Sequence, residues 1–371
     1  MVNKIVIFIR TFSQYGGVEN FCYRFFNYLL KNGYDVKIVC GENKTNIKDE
    51  SIIVLGLWRP GRFLKTLSFY IKSIKYLKKI KEKNTTIVAF GKVAGCDFYR
   101  TGSSSHLDFM IKSMKGYKGL SFLTKMLKRL LNPINYYDIY IERKIFKNKS
   151  TRFIAISNMV KNELINRFKI EENKITIINN SVNKDIFNKA NILKLRKNKR
   201  SSLNLNNKKV IGFCSTNFEL KGLSFLIKSL QYLPEDYVIL VAGGRNPKKY
   251  IKLAKSINVE YRVHFLGKVK DMLAFYAMLD VFCHPSFYDT FGSVVAEAIS
   301  CNIPVVTSKS VGAKDLIING INGYVLEEIN EELIAKYIQK CVELKSENFV
   351  DTALDDDKVF NNYLNIIKEL A

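Results

Sequence analysis

Short continuous runs of apolar residues alternate along the chain with longer segments whose apolar residues recur every three or four positions. Continuous runs predict buried β-strands, and the longer spacing predicts amphipathic helices. Strands are predicted over residues 4–9, 34–40, 52–55, 86–90, 153–157, 209–214, 237–244, 263–267 and 304–306, with a turn and strand over 319–325. Helices are predicted over residues 18–31, 59–83, 158–168, 222–230, 293–300 and 359–370. Strands that alternate with helices predict an α/β protein with parallel sheets.

The composition fits two globular domains without metal or disulfide chemistry. A chain of 371 residues with 47% hydrophobic residues is long enough for two cores and apolar enough to fill both. The seven cysteines are scattered, contain no CxxC pair and lie mostly in apolar runs. They are expected to be buried, reduced thiols. The three histidines have no metal-ligand spacing, so no metal site is predicted.

No segment predicts export or membrane insertion. Residues 1–12 are too short and too soon interrupted by polar residues for a signal peptide. No stretch approaches the roughly 20 apolar residues of a membrane span. We therefore expect the protein to remain in the compartment where it is made, the cytoplasm.

The positive charge is concentrated in the first half of the chain. Residues 1–200 hold 40 Lys and Arg against 14 Asp and Glu, whereas residues 201–371 hold 19 against 20. A lysine bias of the genome would affect both halves alike, so the asymmetry indicates an anionic partner for the N-terminal half. Residues 59–83 and 110–152 interleave basic residues with Phe, Leu and Tyr, which suits an anionic bilayer surface, although a lysine face can also be merely solvated. Nucleic acid is not expected, because no nucleic-acid-binding motif accompanies the charge.

Candidate chemistry is concentrated in residues 284–306, which predict a loop, a helix and a buried strand. Gly292 stands just before the helix, whose first N–H groups and dipole suit an anion such as phosphate. Asp289 precedes Glu297 by eight residues, so both acids could reach one ligand at the helix start. In the alternative interpretation, Glu297 is solvated and Asp289 only caps the helix. The apolar neighbours of Glu297 favour a partnered carboxylate, for which two ribose hydroxyls would serve.

These residues resemble a family signature. Asp289 and Glu297 are followed by Pro304-Val305-Val306 and Gly312, and residues 263–267 and 276–286 precede them in matching order. The arrangement resembles retaining glycosyltransferases with the GT-B fold, the glycogen-synthase-like group known as glycosyltransferase family 4. The resemblance covers most of the chain. Within the group, residues 15–19 and 218–222 look most like the lipopolysaccharide-core glucosyltransferases.

The resemblance implies a domain organisation. It implies an α/β GT-B fold with two Rossmann-like domains facing across a cleft. Residues 1–187, completed by a C-terminal helix over 358–371, would bind the acceptor. Residues 188–357 would bind the nucleotide sugar, and the polar, basic segment 188–209 would be the linker into this domain.

The resemblance also implies site residues. Lys221 would hold the donor diphosphate, but Leu220 or a polar neighbour stands where relatives often have a second, basic contact. Gly16 and Gly17 would lie near the donor phosphates, and the base would be bound after Gly267. The predicted catalytic residues are Asp289, Glu297 and Lys221, and the predicted donor-binding residues are Gly16, Gly17, Lys221, Val269, Asp289, Thr290, Phe291, Gly292 and Glu297.

Acceptor candidates come from the polar segment 99–106, which follows the predicted strand 86–90. Loops at the carboxyl ends of parallel strands are where α/β proteins bind ligands. Arg100 and His106 are therefore predicted to contact the acceptor, although a lone loop histidine often has no catalytic role.

These observations together predict a retaining hexosyltransferase. The donor would be a nucleotide-diphosphate sugar, with uridine the expected base. The acceptor would be a hydroxyl of an anionic glycolipid, oligosaccharide or growing polysaccharide of lipopolysaccharide core, capsule or O-chain biosynthesis. No metal or other cofactor is expected, and the enzyme would be peripheral at the inner face of the bacterial cytoplasmic membrane. The alternative is a basic twin-Rossmann protein that binds a membrane or nucleic acid without glycosyl transfer, but such a protein would not need Asp289, Glu297 and Lys221 together.

Overall fold

The computed structural model describes residues 4–47, 49–80, 85–102, 105–117 and 119–369, and within them the chain divides into two compact units. The first unit contains the described residues of Met1–Met110, Thr124–Asn180 and Asp356–Ala371, and the second contains those of Ile111–Leu123 and Ser181–Asp355. The ends of two predicted helices, residues 81–83 and 370, lie outside the described residues, as do residues 103 and 104 of the polar segment.

The first unit is built on a sheet of seven described strands in the order β3-β2-β1-β4-β5-β6-β7, and every neighbouring pair is parallel. Its strands are β1 (Lys4–Phe12), β2 (Val36–Asn43), β3 (Ile52–Val54), β4 (Thr85–Ala89), β5 (Phe98–Thr101), β6 (Arg152–Ala155) and β7 (Ile175–Ile177). In the centre, Ile7 of β1 is paired with Ile38 of β2 and Val88 of β4. All three residues are completely buried, as expected for a sheet covered by helices on both faces.

The second unit repeats this plan with six described strands in the order β10-β9-β8-β11-β12-β13, again all parallel. They are β8 (Lys209–Cys214), β9 (Tyr237–Ala242), β10 (Val263–Gly267), β11 (Val281–His284), β12 (Val305–Ser308) and β13 (Gly323–Leu326). The strand order reverses next to β8, between β9 and β11. In parallel α/β sheets, ligands bind beyond the carboxyl ends of the strands at such a reversal.

Thirteen described α-helices connect the strands. They are α1 (Gly17–Lys31), α2 (Gly61–Ile80), α3 (His106–Lys112), α4 (Gly119–Leu130), α5 (Pro133–Phe146), α6 (Asn158–Phe168), α7 (Lys189–Ser201), α8 (Leu223–Ser229), α9 (Lys248–Ser256), α10 (Met272–Ala277), α11 (Ser293–Ser300), α12 (Glu331–Val342) and α13 (Asp356–Lys368). None of these helices combines the length and the apolar character needed to cross a membrane.

The C-terminal helix α13 completes the core of the first unit. Phe360 and Tyr363 of α13 pack against Phe21 and Phe25 of α1, with ring centroids 5.2–5.7 Å apart. Phe90, which follows β4, stacks on Tyr363 from the sheet side at 6.3 Å. The last helix in the sequence therefore packs on the first.

Four features of the chain differ from the sequence-based predictions. The predicted linker 188–209 is wrong, because α7 occupies most of it; Asn188 caps this helix, and Arg196 and Arg200 both bind Asp280 of the second unit. The predicted loop 99–106 begins as strand β5, and His106 starts helix α3. The chain passes between units after Asn180 rather than after residue 187, and residues 111–123 belong to the second unit.

Candidate functional site

Residues 285–292 form a tightly held loop between β11 and α11. The backbone N–H of Asp289 donates to the carbonyl of Ser310 at 3.0 Å, and the N–H of Gly312 donates to the carbonyl of Asp289 at 2.9 Å. Gly292 closes the loop with a left-handed backbone, φ +89°, where a Cβ would lie 2.9 Å from Val311 Cγ1. Glycine is needed at this position because L side chains rarely adopt this conformation. The loop thus delivers Asp289 to a fixed place before the helix.

Lys221 meets Asp289 from a second glycine turn. Gly222 also has a left-handed backbone, φ +75°, and a Cβ there would lie 2.3 Å from the carbonyl oxygen of Pro285. Because Gly222 has no Cβ, the start of α8 can pack closely against the loop. This packing leaves Lys221 Nζ bonded to Asp289 Oδ2 and 3.3 Å from the carbonyl oxygen of Tyr288, to which it donates.

His284 is the third member of this cluster. It is the last residue of β11, its side chain is 1% exposed, and its Nε2 lies 3.1 Å from Asp289 Oδ2. Burial lowers the pKa of His284, and the nearby Lys221 lowers it further, although Asp289 opposes this change. The ring is therefore neutral at neutral pH, with its proton on Nε2 for donation to Asp289.

Asp289 is ionised in this environment. Burial would raise the pKa of its carboxyl group, but the charge of Lys221 and the hydrogen bond from His284 outweigh burial and hold the pKa well below its usual range. Both contacts reach Oδ2. Oδ1 accepts no hydrogen bond from the described residues, so it can accept one from a ligand hydroxyl.

Glu297 is held by a buried tyrosine. Tyr276 of α10 is completely buried, and its hydroxyl donates to Glu297 Oε2 at 2.8 Å while lying 3.1 Å from the carbonyl oxygen of Val294. Burial, reinforced by the charge of Glu297, raises the pKa of Tyr276 well above its usual value, so the hydroxyl keeps its proton. Burial and Glu297 also raise the pKa of Cys214, at the end of β8, to about 12. These effects place the Glu297 carboxylate near the carboxyl end of β8.

The other predicted donor-binding residues of the second unit flank this region. Thr290 is half-buried, Phe291 is 2% exposed, and the carbonyl of Phe291 accepts a hydrogen bond from Ala313 N at 2.6 Å. Helix α11 begins at Ser293 without a side-chain cap. Val269 is half-buried and follows β10 at its carboxyl end. The structure brings together Lys221 and Asp289, and it adds His284 and Tyr276 to the predicted residues.

The predicted residues of the first unit lie at the carboxyl ends of its strands. Gly16 has φ +102°, and a Cβ there would lie 2.5 Å from Glu19 Oε2; Gly17 begins α1 with open space around it. Arg100 is 2% exposed, with its guanidinium 4.5 Å from the centroid of the Phe21 ring and bonded to Asn180. It is therefore a buried side chain near the end of β5 and not a solvent-exposed loop residue.

His106 belongs to a buried polar cluster at the start of α3. Its Nε2 lies 2.9 Å from Asn135 Oδ1, and its backbone N–H donates to Glu142 Oε2 at 2.8 Å. Lys92 Nζ lies 3.0 Å from Asp138 and 3.2 Å from Glu142. Burial raises the pKa of Glu142, although Lys92 opposes this change. Among the residues that the structure describes, no three His, Cys, Asp or Glu side chains are grouped to hold a metal ion.

Comparison with family models identifies both halves of the chain. The model described as Glycosyltransferase Family 4 matches residues 15–186, and the model described as Glycosyl transferases group 1 matches residues 196–353. The chain therefore belongs to the group 1 and family 4 glycosyltransferases. The alternative of a basic twin-Rossmann protein without glycosyl transfer is set aside.

Individual relatives agree with this assignment. The capsular polysaccharide biosynthesis glycosyltransferase CapM of Staphylococcus aureus is 30% identical over 217 residues, 56% of each chain. The lipopolysaccharide glucosyltransferase WaaG of Escherichia coli is 23% identical over 267 residues, covering 69% of this chain and 67% of WaaG. The predicted enzyme class, a hexosyltransferase-type glycosyltransferase, is confirmed.

Solved structures confirm the fold class. The crystal structure of WaaG superposes with a TM-score of 0.74 at 20% identity, covering 97% of this chain and 95% of WaaG. The structure of Anabaena HepE in complex with UDP superposes with a TM-score of 0.73 at 18% identity, covering 99% and 100% of the two chains. The fold is therefore GT-B, with two Rossmann-like domains.

Proposed function

We propose that the chain is a retaining glycosyltransferase that moves a hexose from a nucleotide-diphosphate sugar to a hydroxyl of a glycolipid or polysaccharide. The observation that carries the proposal is the pair formed by Lys221, just before α8, and Asp289, on the loop before α11, with Glu297 held eight residues after Asp289 by Tyr276. The arrangement supplies two differently supported acids on the segment 289–297 and a cation, Lys221, from a second segment. A nucleotide sugar has a diphosphate, a sugar and a ribose to match them.

Each predicted residue has a distinct task in this proposal. Lys221 stabilises the departing diphosphate, which gains negative charge as its bond to the sugar breaks. Asp289 accepts hydrogen bonds from sugar hydroxyls through Oδ1. Glu297 binds the ribose hydroxyls. The backbone N–H groups near Gly292 face the developing charge, Thr290 and Val269 line the donor, and Gly16 and Gly17 allow close approach to the phosphates.

The retaining course and the lack of a metal or other cofactor are parts of the same proposal. Asp289 is paired with Lys221 and His284 and is proposed here as a sugar contact, not as a nucleophile. A leaving phosphate held by Lys221 could itself assist attack of the acceptor on the same face of the sugar. The charge of Lys221 and the N–H groups of α11 take the part that a metal ion plays elsewhere in phosphate chemistry.

The proposed donor and acceptor classes follow the relatives. HepE has been solved in complex with UDP and with UDP-glucose, which supports uridine as the base. CapM is named for capsular polysaccharide biosynthesis and WaaG for lipopolysaccharide, which supports an acceptor in lipopolysaccharide core, capsule or O-chain synthesis. Of the two acceptor candidates, His106 is the stronger, because its side chain is 15% exposed whereas Arg100 is buried.

We also propose an anionic membrane surface as a partner, in keeping with a cytoplasmic enzyme peripheral at the inner face of the bacterial cytoplasmic membrane. Helix α4 contains no buried residue, and Leu123 and Leu127 on it are 50% and 54% exposed. Leu120 and Leu131, at either end, are 77% and 80% exposed. The helix also carries Lys125, Lys128 and Arg129. An uncovered apolar face beside cations suits the boundary between anionic headgroups and acyl chains.

Calorimetric titration of the full-length protein with UDP, GDP, ADP and CMP tests the donor site. We expect one diphosphate to bind with micromolar affinity and Glu297→Ala to weaken it by roughly tenfold or more, because a hydrogen bond to a charged group is lost. Glu347→Ala, an exposed acid of the same unit, is the matched control and should bind like the wild type. Failure of the wild type to bind any of the four nucleotides would overturn the proposal.

A further inference from the structure

The Asp289 carboxylate is held by two side chains, Lys221 and His284, which differ in their other binding partners. Lys221 and His284 both contact Oδ2, and Oδ1 accepts no hydrogen bond from the described residues. Two donors on one oxygen fix the rotation of the carboxylate and leave the second oxygen for a ligand. Resting on the proposed function, we propose that His284 is a positioning residue that keeps Asp289 Oδ1 directed at the donor sugar.

His284 is suited to this task because its ring cannot turn away. It is buried and stacks on Phe282, with ring centroids 6.2 Å apart and an interplanar angle of 12°. Its carbonyl accepts hydrogen bonds from Ser286 N at 2.8 Å and from Thr307 Oγ1 at 3.1 Å. Backbone and ring are therefore both fixed by the strand and its neighbours.

Lys221 is shared between Asp289 and the diphosphate once the donor is bound. Its ammonium contacts Asp289 and the carbonyl of Tyr288, and in the proposed function it also binds the diphosphate. A diphosphate would share the three ammonium hydrogens with these two acceptors, and the four-carbon lysine chain is flexible. His284 has no such second ligand, because its Nδ1 has no hydrogen-bond partner among the described residues. His284 therefore keeps Asp289 oriented while Lys221 is shared.

The charge state of His284 agrees with this task. Burial and the neighbouring Lys221 favour the neutral ring, which donates through Nε2. A neutral donor orients Asp289 without adding a second cation that would compete with sugar hydroxyls for the carboxylate. The orienting hydrogen bond and the sugar contact then use different oxygens of the same group.

A matched pair of amide variants tests the proposal in the full-length protein. The amide nitrogen of glutamine reaches about as far as Nε2 of histidine, whereas that of asparagine ends near Nδ1. His284→Gln therefore keeps a donor for Asp289, and His284→Asn removes it without removing polarity. The probes are UDP and UDP-glucose, or the diphosphate that the wild type binds and its glucose ester, and the readout is calorimetric affinity.

We expect His284→Asn to weaken UDP-glucose about tenfold, the size of one hydrogen bond to a charged group, and to change UDP less than about twofold. His284→Gln should stay within about twofold of the wild type for both probes. In an Asp289→Asn background, His284→Asn should have no further effect on UDP-glucose. Thermal unfolding of each variant reports whether it folds.

Two results would overturn the proposal. Equal losses of UDP and UDP-glucose in His284→Asn would show a general structural role, and equal effects of the two amides would show that the donated hydrogen bond is irrelevant. If His284→Asn does not fold, His284→Leu removes the donor with an apolar side chain of similar size, and the same selective loss is required. The wild-type titration separates the two proposals, because it tests donor binding without reference to His284.

Discussion

Lys221, Asp289 and His284 form a cluster in which a cation and a neutral ring both contact the same carboxylate, that of Asp289. Even a partly buried carboxylate is costly unless it is paired and hydrogen-bonded, and Asp289 has both kinds of partner. Because both partners use Oδ2, the stabilisation of Asp289 leaves Oδ1 open. The contacts that stabilise the negative charge of Asp289 thus leave Oδ1 as a hydrogen-bond acceptor for a ligand.

The buried imidazole of His284 also predicts a pH dependence of stability. Its folded pKa is lowered by burial and by Lys221, despite the opposing hydrogen bond to Asp289. Below the unfolded pKa of about 6.5, the unfolded chain binds a proton at His284 that the folded chain does not. The contribution of His284 to the free energy of unfolding is therefore fully present above that pH. It decreases as the pH falls, by at most about 1.4 kcal/mol per pH unit.

Urea unfolding between pH 7.5 and 5.5 measures this effect. The free energy of unfolding of the wild type should fall more over this range than that of His284→Gln, which cannot titrate. His264, whose pKa is also lowered by burial, is present in both proteins and cancels. The folded pKa of Asp289 is also lowered, so its contribution to stability is lost only when the pH falls below the usual aspartate pKa. That range lies below the pH interval of the urea experiment. Parallel pH profiles for the two proteins would contradict the prediction.

At the scale of elements, two glycine turns hold the site together. Gly222 before α8 and Gly292 before α11 both have left-handed backbones, and a Cβ on either would approach a neighbouring segment to within 3 Å. The carbonyl of Pro285 blocks the first and Val311 blocks the second. The two helix starts, one following Lys221 and one following Asp289, can therefore approach closely only with glycine at these positions.

The sequence predicts what is local and misses what depends on packing. Apolar runs locate most strands, and the spacing of Asp289, Glu297 and Gly292 locates the loop and helix of the site. His284 and Tyr276 are missed, because each lies in an apolar run and only the three-dimensional fold brings it to an acid. Helix α7 is missed because Ile192 and Arg200 are its only buried residues, so its sequence resembles a polar linker.

Helix α4 predicts a measurable membrane affinity. Replacing Leu123 and Leu127 together by glutamate should abolish most sedimentation with phosphatidylglycerol vesicles at low salt, because each leucine loses about 1.5–3 kcal/mol of apolar burial. The measurement is the protein fraction that pellets with vesicles as lipid concentration rises. Added salt should also lower the bound fraction, since screening weakens the attraction of the basic residues.

The matched control is Leu193→Glu on α7. This leucine is 58% exposed and lies on a helix that is also rich in lysine and arginine, so charge and exposure are similar but the apolar face is absent. Its vesicle binding should equal that of the wild type. An equal loss in this variant, or no pelleting of the wild type, would contradict a specific role of α4.

At the scale of the whole molecule, the two units repeat one architecture, and the charge is distributed unevenly along the chain. Residues 1–200 carry a net charge of +26 and residues 201–371 a net charge of −1, which together give the +25 of the chain. Since net charge governs partners more than fold, the same sheet plan can serve two different ligands. Lys221 and Asp289 of the donor cluster lie in the nearly neutral part of the sequence, residues 201–371, where such local charges determine the field.

The first unit is completed only by the end of the chain, so a substitution in α13 should destabilise a unit that begins some 350 residues earlier. Phe360 is 1% exposed and packs on Phe25, so Phe360→Ala should cost that unit about 3–5 kcal/mol. Trp58, the only tryptophan, lies in the first unit, and its fluorescence in urea therefore follows that unit. Asn362→Ala, exposed on the same helix, should change stability by less than about 0.5 kcal/mol. An unchanged Trp58 transition in Phe360→Ala would mean that the first unit folds without its terminal helix.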